Sequence, residues 1–480
     1  MFRWWIDFGY SLENRVVVLD RRRFSLPLLL TLQPTSTPVT NHQYVHRLIN
    51  LLDPAGNVLL NMNFDQAVRL VASGDPDAVN KIDGQFAICV QDGRDVLMAR
   101  SIARPMRYFL AKRAEGPCLI VAERMDQLRD QLEKEGLVDQ FHPSYTRMVP
   151  AHHLVRLQLI GCPDPNPEYQ RFFAPQRNSL TTDLDQIGAA YIGRLAEECS
   201  RWLDQLDPNE PIGVMFSGGV DSGAVLLVMN HLLLARGQAS TRLKAFTLSI
   251  DGKSSDTEQA KQFLQQTGLE MLWEVLDCSS DDLDWRETVR VIEDYKPLDV
   301  QAGTMMLAAC REIRKRHPDW RYLIDGDGGD ENLKDYPIEE NPELTIRSVL
   351  SNLMLYQEGW GVHAIKHSLV HSGGQSRGQA RSSAPSRLMG FTAFSPFALP
   401  RVIEIAEAIP FIELTDWDHQ KLYALKGDVV SRGVRLITGV EMPVFNKQRF
   451  QHGAIDAAKF KQLFPQHEQD YRQAFLQCWN

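Results

Sequence analysis

Short apolar runs separated by Gly, Pro and Asp turns dominate the first 175 residues: VVVLD from Val16, FAICVQD from Phe86, DVLMARS from Asp95, CLIVAER from Cys118 and HHLVRLQLIG from His152. Such runs predict strands, so residues 1–175 read as a largely antiparallel, β-rich domain. The segment CPDPNPEYQRFFAPQRNS, residues 162–179, has four prolines and no periodicity and reads as a linker, which sets a domain boundary near 180. Beyond it the period changes. LDQIGAAYIGRLAEECSRWLDQL, residues 184–206, places apolar residues at helical spacing, PIGVMFSGG supplies a strand ending in glycines, and strand and helix then alternate to about residue 335. That alternation predicts an α/β fold with a parallel sheet covered by helices on both faces. HSGGQSRGQARSSAPSR, residues 371–387, is poor in apolar residues, and it is expected to be a disordered surface loop or a lid that orders over bound substrate. Helical patterns alternate with loops after it.

Composition narrows the class. A chain of 480 residues exceeds one ordinary core, and two units, 1–175 and 180–480, are expected. With 44% hydrophobic and 24% charged residues it reads as a soluble globular protein, and its longest apolar runs, such as LPLLLTL from Leu26, fall far short of a bilayer span. The opening MFRWWIDFGY lacks the pattern of a secretory leader, so the expectation is a cytoplasmic protein with no membrane partner. The net charge of −9, from 61 acidic against 52 basic side chains, gives no general attraction to nucleic acid, and the RRR at 21–23 reads as a solvated turn. Seven cysteines without a CxxC pair or a His cluster are expected to be reduced structural thiols.

Two stretches carry chemistry. In FSGGVDSGAVLLVM, residues 216–229, a strand runs into Ser217, Gly218, Gly219, Val220, Asp221 and Ser222, and a helix begins at once. The glycines allow a tight turn that brings bare N–H groups against an anion, and the helix N-terminus adds partial positive charge, which together make a phosphate cradle. No GK[ST] and no GxGxxG is present, so this is neither a Walker loop nor a dinucleotide fingerprint. Asp221 would repel a bare phosphate and makes sense if Mg²⁺ lies between them. The second stretch, WRYLIDGDGGDENLKDY at 320–336, is again a strand followed by a glycine-rich acidic turn, which by itself also suits a solvated turn or a calcium-type loop.

SGGVDS is the signature of PP-loop ATP pyrophosphatases, and the chain resembles the asparagine synthetase and β-lactam synthetase family. There, a strand about one hundred residues after the PP-loop ends in a G-x-G-S-D loop facing the same nucleotide, here Gly326, Asp327, Gly328, Gly329 and Asp330. The resemblance implies that ATP is bound by residues 217–222, that Asp330 shares Mg²⁺ with Asp221, and that Gly326 and Leu248 approach adenine with their main chains. It also maps Asp256 and Ala260 onto the acidic start of the family's following helix. Gly329 replaces the usual serine, and Asp327 falls at a variable position, where it is the candidate base for the amine; Glu358 is a candidate neighbour that would raise its pKa. PVFNKQRFQHGA at 443–454 resembles the family's late lysine loop and maps its lysine to Lys447, a candidate for stabilising transition-state charge.

The first half resembles the family's class II glutaminase domain in VNKIDGQFAICVQDGRDVLMARSIARPMRYF (79–109) and MVPAHHLVRL (148–157). The implied architecture is an Ntn-hydrolase-like β-rich sandwich followed by a doubly wound parallel-sheet PP-loop domain with a helical extension. Phe2 stands where an active glutaminase needs cysteine, so glutamine hydrolysis is expected to be absent. FTAFSPFALP at 391–400 puts Phe394 and Leu399 where asparagine synthetases carry an arginine and an aspartate. The resemblance therefore implies a ligase that adenylates a carboxylic acid and transfers it to an amine, forming an amide or lactam. An ammonia-dependent asparagine synthetase and a non-catalytic nucleotide-binding paralogue are the alternatives. Small acids and amines are the expected partners, with a homodimer among the expectations.

Overall fold

The computed structural model describes residues 46–160, 166–252, 254–336, 338–339, 345–351, 379–445 and 453–479, all within one compact unit, Tyr44–Asn480. Lys447, Glu358 and Phe2 lie outside the described residues.

The β-rich first part builds two four-stranded sheets and a short ladder. In chain order its strands are β1 (Arg47–Asn50), β2 (Val58–Leu59), β3 (Gly84–Gln85), β4 (Ala87–Asp92), β5 (Asp95–Arg100), β6 (Arg107–Arg113), β7 (Gly116–Ala122), β8 (Arg147–Met148), β9 (His153–Gln158) and β10 (Glu168–Arg171). One sheet has the order β1-β7-β6-β8 and the other β10-β9-β5-β4; β2 pairs with β3, and every pairing is antiparallel except β1 with β7. Alternation along the strands sends one set of side chains inward. Val96, Met98, Val155 and Leu157 of one sheet meet Tyr108, Leu119 and Val121 of the other in a single apolar cluster. The outward sets are covered in turn. Helix α1 (Phe64–Ala72), followed by the short α2 (Pro76–Val79), buries Ala67 and Val71 against Ile88, Leu97 and Leu154, while α3 (Met125–Lys134) buries Leu128 and Leu132 against Phe109 and Ile120. The layers run helix, sheet, sheet, helix.

The second part begins with α4 (Leu184–Leu203), whose N-terminus is capped by Asp183 accepting from the amides of Asp185 and Gln186. Then follow β11 (Ile212–Met215), α5 (Val220–Ala235), β12 (Leu243–Ile250), α6 (Ser255–Thr267), β13 (Trp273–Cys278), α7 (Trp285–Ile292), α8 (Pro297–Arg316), β14 (Tyr322–Ile324) and β15 (Thr392–Phe394). The five strands make an all-parallel sheet of order β13-β12-β11-β14-β15. Helices cover both faces: α4 and α5 pack with Ile212 and Val214, and α7 and α8 with Phe246 and Leu323. The chain winds from β11 outward through β12 to β13, then returns to place β14 on the other side of β11. The carboxyl ends of β11 and β14 thus flank the switch point, where open parallel sheets form a crevice.

Three segments depart from the sequence reading. The expected linker contains β10, an edge strand that pairs with β9 and packs Tyr169 against the inter-sheet cluster. A fifth strand, β15, extends the sheet beyond residue 335. Residues 379–387, expected to belong to a surface loop or lid, lie in a partly buried helix, Gln379–Leu388, called the arginine helix below. Its serines let it lie close to α8: the Ser386 hydroxyl donates to the Ser382 carbonyl at 2.8 Å, so the polar group is satisfied inside the helix. Small side chains with internally bonded hydroxyls bury as readily as alanine, which a composition argument misses.

Among the described residues no helix is long and apolar enough to cross a membrane. The six described cysteines are unbonded, and burial pushes the thiols of Cys89 and Cys310 up to about 12, which leaves them unreactive near neutral pH.

Candidate active site

The PP-loop leaves β11 at Phe216 and is tied by its own serines. Ser217 Oγ lies 3.3 Å from Ser222 Oγ and accepts from the Gly219 amide at 3.3 Å. Gly218 adopts φ +76°, and a Cβ there would come within 2.7 Å of the Ala260 backbone nitrogen, so the turn requires glycine for conformation and for room against α6. No side chain caps α5, whose first turn Val220–Asp221–Ser222 therefore presents its amides for an anion.

The loop after β14 interlocks with this one. A Cβ at Gly326 would stand 2.9 Å from the Ser222 nitrogen, and one at Gly329 would stand 2.2 Å from Asp221 Oδ1. Serine, usual in the resembling family at the Gly329 position, would collide with Asp221 in this arrangement. Asp221 and Asp330, 109 positions apart in sequence (330 − 221), consequently reach one point. They meet on the ammonium of Lys426, with Asp221 Oδ2 at 2.6 Å, Asp330 Oδ1 in contact and Asp335 Oδ2 at 3.4 Å. Burial lowers the pKa of this lysine, but the three carboxylates overcome it and hold the group well above the usual lysine range.

Sequence reasoning missed Lys426. It lies in the helix His419–Thr438, here the lysine helix, which passes so close to α4 that a Cβ on Gly433 would come within 2.3 Å of the Gly188 carbonyl oxygen. Leu422, Leu425, Val429 and Val430 form the buried face of that helix, and Lys426 sits among them at 5% exposure. A lysine on an apolar helical stripe was the available signal.

Two carboxylates beside an uncapped glycine turn fit Mg²⁺, which commonly takes one or two carboxylates together with phosphate oxygens. The Asp330 side chain is 39% exposed against 18% for Asp221, so the site opens on the Asp330 side. Among the described residues no group of three or more His, Cys, Asp or Glu side chains is disposed to hold a metal alone.

Asp327 faces a second cation. Its Oδ2 accepts from the Ser382 hydroxyl and its Oδ1 lies 3.6 Å from Arg381 Nη2, while Arg381 also approaches Glu331 at 3.5 Å and Asp299 at 3.9 Å. Burial lowers the pKa of Arg381, but Asp327, Glu331 and Asp299 outweigh it and hold the guanidinium above its ordinary range. Burial, then the charge of Asp327, pushes Asp325 well above the carboxylate range; its Oδ1 accepts from the Asp327 amide at 3.1 Å. Arg381 and Ser382 belong to the stretch expected to be a loop.

Leu248 is buried near the carboxyl end of β12, beside the PP-loop, and its carbonyl accepts from Ser254 Oγ at 3.2 Å. Asp256, in the first turn of α6, is 2% exposed and closely approached by Gly453; burial raises its pKa to about 8. Phe394 and Leu399 are core residues, Phe394 stacking on Trp202 with ring centroids 4.4 Å apart.

The asparagine synthase family model matches residues 203–420. The root asparagine synthetase (glutamine-hydrolyzing) of Pisum sativum is 22% identical over 333 residues, covering 68% of this chain and 53% of that protein. Asparagine synthetase 1 (glutamine-hydrolyzing) of Lotus japonicus and the glutamine-hydrolyzing enzyme of Triphysaria versicolor give the same figures. The chain thus spans about half the length of the curated relatives it matches.

Proposed function

We propose that this protein, whose residues 203–420 match the asparagine synthase family model, uses ATP to activate a carboxylic acid and joins the resulting acyl group to an amine. The observation that carries the reading is the meeting of Asp221 and Asp330 on one ammonium, between two interlocked glycine turns at the switch point of the sheet. The PP-loop amides and the start of α5 cradle the pyrophosphate end of ATP. Asp221 and Asp330 would hold Mg²⁺, which when bound would neutralise charge on the phosphates. A carboxylate oxygen of the acid attacks the α phosphorus and the bond to pyrophosphate breaks, with Lys426 placed to offset the charge that builds on the leaving group. The amine nitrogen then attacks the acyl carbon, AMP departs with the carbon–oxygen bond pair, and Asp327 is the proposed acceptor of the proton the amine loses. Lys447 keeps the charge-stabilising role the resemblance implies for it, and Glu358 stays the neighbour of Asp327 proposed from its place in the sequence.

The acid is proposed to be other than aspartate, in an amide- or lactam-forming enzyme. Phe394 and Leu399, at the positions where the resembling enzymes carry charge, are packed into the core and offer none to an amino acid substrate. The ammonia-dependent asparagine-forming reaction is the second reading. The helix–sheet–sheet–helix layering of the first part supports its proposed assignment as a glutaminase-like domain of residues 1–175.

The test is exchange of labelled pyrophosphate into ATP in the presence of Mg²⁺, with and without candidate acids. Exchange that depends on the acid, followed by AMP formation when an amine is added, is expected. Release of ADP and phosphate, or nucleotide binding without exchange for every acid tried, would remove the ligase reading.

A further inference from the structure

We propose that the β-rich region is the positioning platform of the Arg381 subsite, acting through Glu123 and Glu293, while the nucleotide loops are held by their own domain. The functional meaning of this proposal rests on the ligase reading; the mechanical link does not.

The arginine helix has little apolar surface with which to fix itself. Ala380, Ala384 and Leu388 are its only aliphatic side chains besides Pro385. Its outer end is fastened by charge instead, because Arg387 Nη1 lies 3.1 Å from Glu123 Oε2, just past the end of β7. The other oxygen of Glu123 pairs with Arg104, a residue 1% exposed whose Nη2 also donates to the Asp53 carbonyl at 3.2 Å. Arg387 is thereby anchored to a guanidinium buried inside the β-rich region. From Arg387 back to Arg381 is six residues of helix, roughly 9 Å, so the fastening lies about one and a half turns from the group that faces Asp327.

The second fastening is at Glu293, directly after α7. Its Oε2 lies 2.8 Å from Arg107 Nε, on β6, and its Oε1 accepts from the Met125 amide at 2.6 Å, at the start of α3. Arg124 Nη1 donates to the Val291 carbonyl at 2.6 Å and so covers the end of α7. Glu293 adopts φ 54°, a left-handed conformation that a non-glycine residue holds only when its contacts over-determine it. Four residues later α8 begins at Pro297, and it carries Asp299, the third carboxylate around Arg381. Both fastenings therefore lead to elements that surround Asp327. By contrast, Lys426 itself pairs with Asp221, Asp330 and Asp335, none of which belongs to the first 175 residues, and the β-rich region meets its surroundings at one remove, through Arg201 of α4, 2.8 Å from Asp83.

The experiment compares the full chain with Glu123→Ala, Arg387→Gln and Glu293→Gln by amide hydrogen exchange, with Glu123→Asp as the conservative control. Exchange across residues 379–388 is expected to accelerate about fivefold or more in Glu123→Ala and Arg387→Gln, with residues 216–235 unchanged and the Kd for magnesium–ATP within about twofold. Glu123→Asp, which keeps the charge, is expected to restore most of the protection, and Glu293→Gln to loosen residues 285–303. Where an acid supports pyrophosphate exchange, the first two variants should raise its KM or slow transfer to the amine about tenfold, leaving the KM for ATP in place. Unchanged exchange across 379–388 in both Glu123→Ala and Arg387→Gln, or equal acceleration across 216–235, overturns the proposal. Selective loosening in a chain that activates no acid upholds the platform and removes only the ligase reading.

Discussion

Lys426 and Arg381 are two versions of one arrangement, a cation ringed by three carboxylates, and they differ in what surrounds them. Lys426 stands behind Asp221 and Asp330, whose outer sides open toward a glycine-lined turn and an uncapped helix start. Arg381 is closed in by Asp299, Asp327 and Glu331, with Ser382 on the remaining oxygen of Asp327. A lysine ammonium is a compact charge that suits a cluster whose acids turn outward to metal and phosphate, whereas a planar guanidinium with several fixed donors holds a set of carboxylates in place. The contrast separates a centre organised for nucleotide from a neighbouring one organised for positioning.

The strongest break is at the metal side. Asp221→Asn is expected to lower acid-dependent pyrophosphate exchange by about 10³-fold or more, since it removes a ligand and a charge aimed at the leaving group; exchange within tenfold of the parent would mean that the two acids do not hold metal. Lys426→Met should cost about 3 kcal/mol of stability, because it leaves acids around a buried site without their counter-ion. Added Mg²⁺ should recover part of that loss in thermal unfolding and do little for the parent, as a ligand stabilises the state that binds it. A midpoint indifferent to Mg²⁺ in both proteins would separate Lys426 from the metal site.

At the second centre, Asp327→Asn should slow transfer to the amine by about 10²-fold while pyrophosphate exchange with the acid alone persists. Equal loss in both assays would place Asp327 in nucleotide binding instead. Asp256 sharpens the comparison from the opposite side, as a buried carboxylate whose Oδ2 meets no hydrogen-bond donor among the described residues. Its folded pKa is raised to about 8 from 3.8, so the folded chain keeps a proton that the unfolded chain has lost, and stability falls as pH rises between those values. Asp256→Asn removes that slope: from about pH 6 to about pH 7 the parent should lose roughly 1.4 kcal/mol relative to the variant, measurable by urea titration at both pH values. Parallel pH dependence in the two proteins would show that Asp256 has a cation partner.

The chemistry-bearing turns were legible in the chain because they are local. Ser217 to Ser222 and Gly326 to Asp330 each occupy a few consecutive residues between a strand and a helix, and the glycines that allow the turns also allow the two loops to touch. The expectation of a parallel sheet held for the same reason, since the alternation of short apolar runs with helical spacing is written along the chain. The strand at Thr392–Phe394 and the helix over 379–388 were not legible. A three-residue strand carries almost no periodicity, and serines bonded within their own helix look like a solvent-exposed composition until a neighbour covers them.

By itself, then, the sequence determined which segments turn tightly, where glycine and aspartate stand within them, and that they follow parallel strands. Which cations these acids face was decided only by the tertiary structure. Lys426 reaches Asp221 across 205 positions and Asp330 across 96, and it does so because the sheet order places β14 beside β11 while the lysine helix packs on α4 and α5. Such a pairing depends on the relative placement of three elements, and no window of the chain contains all three.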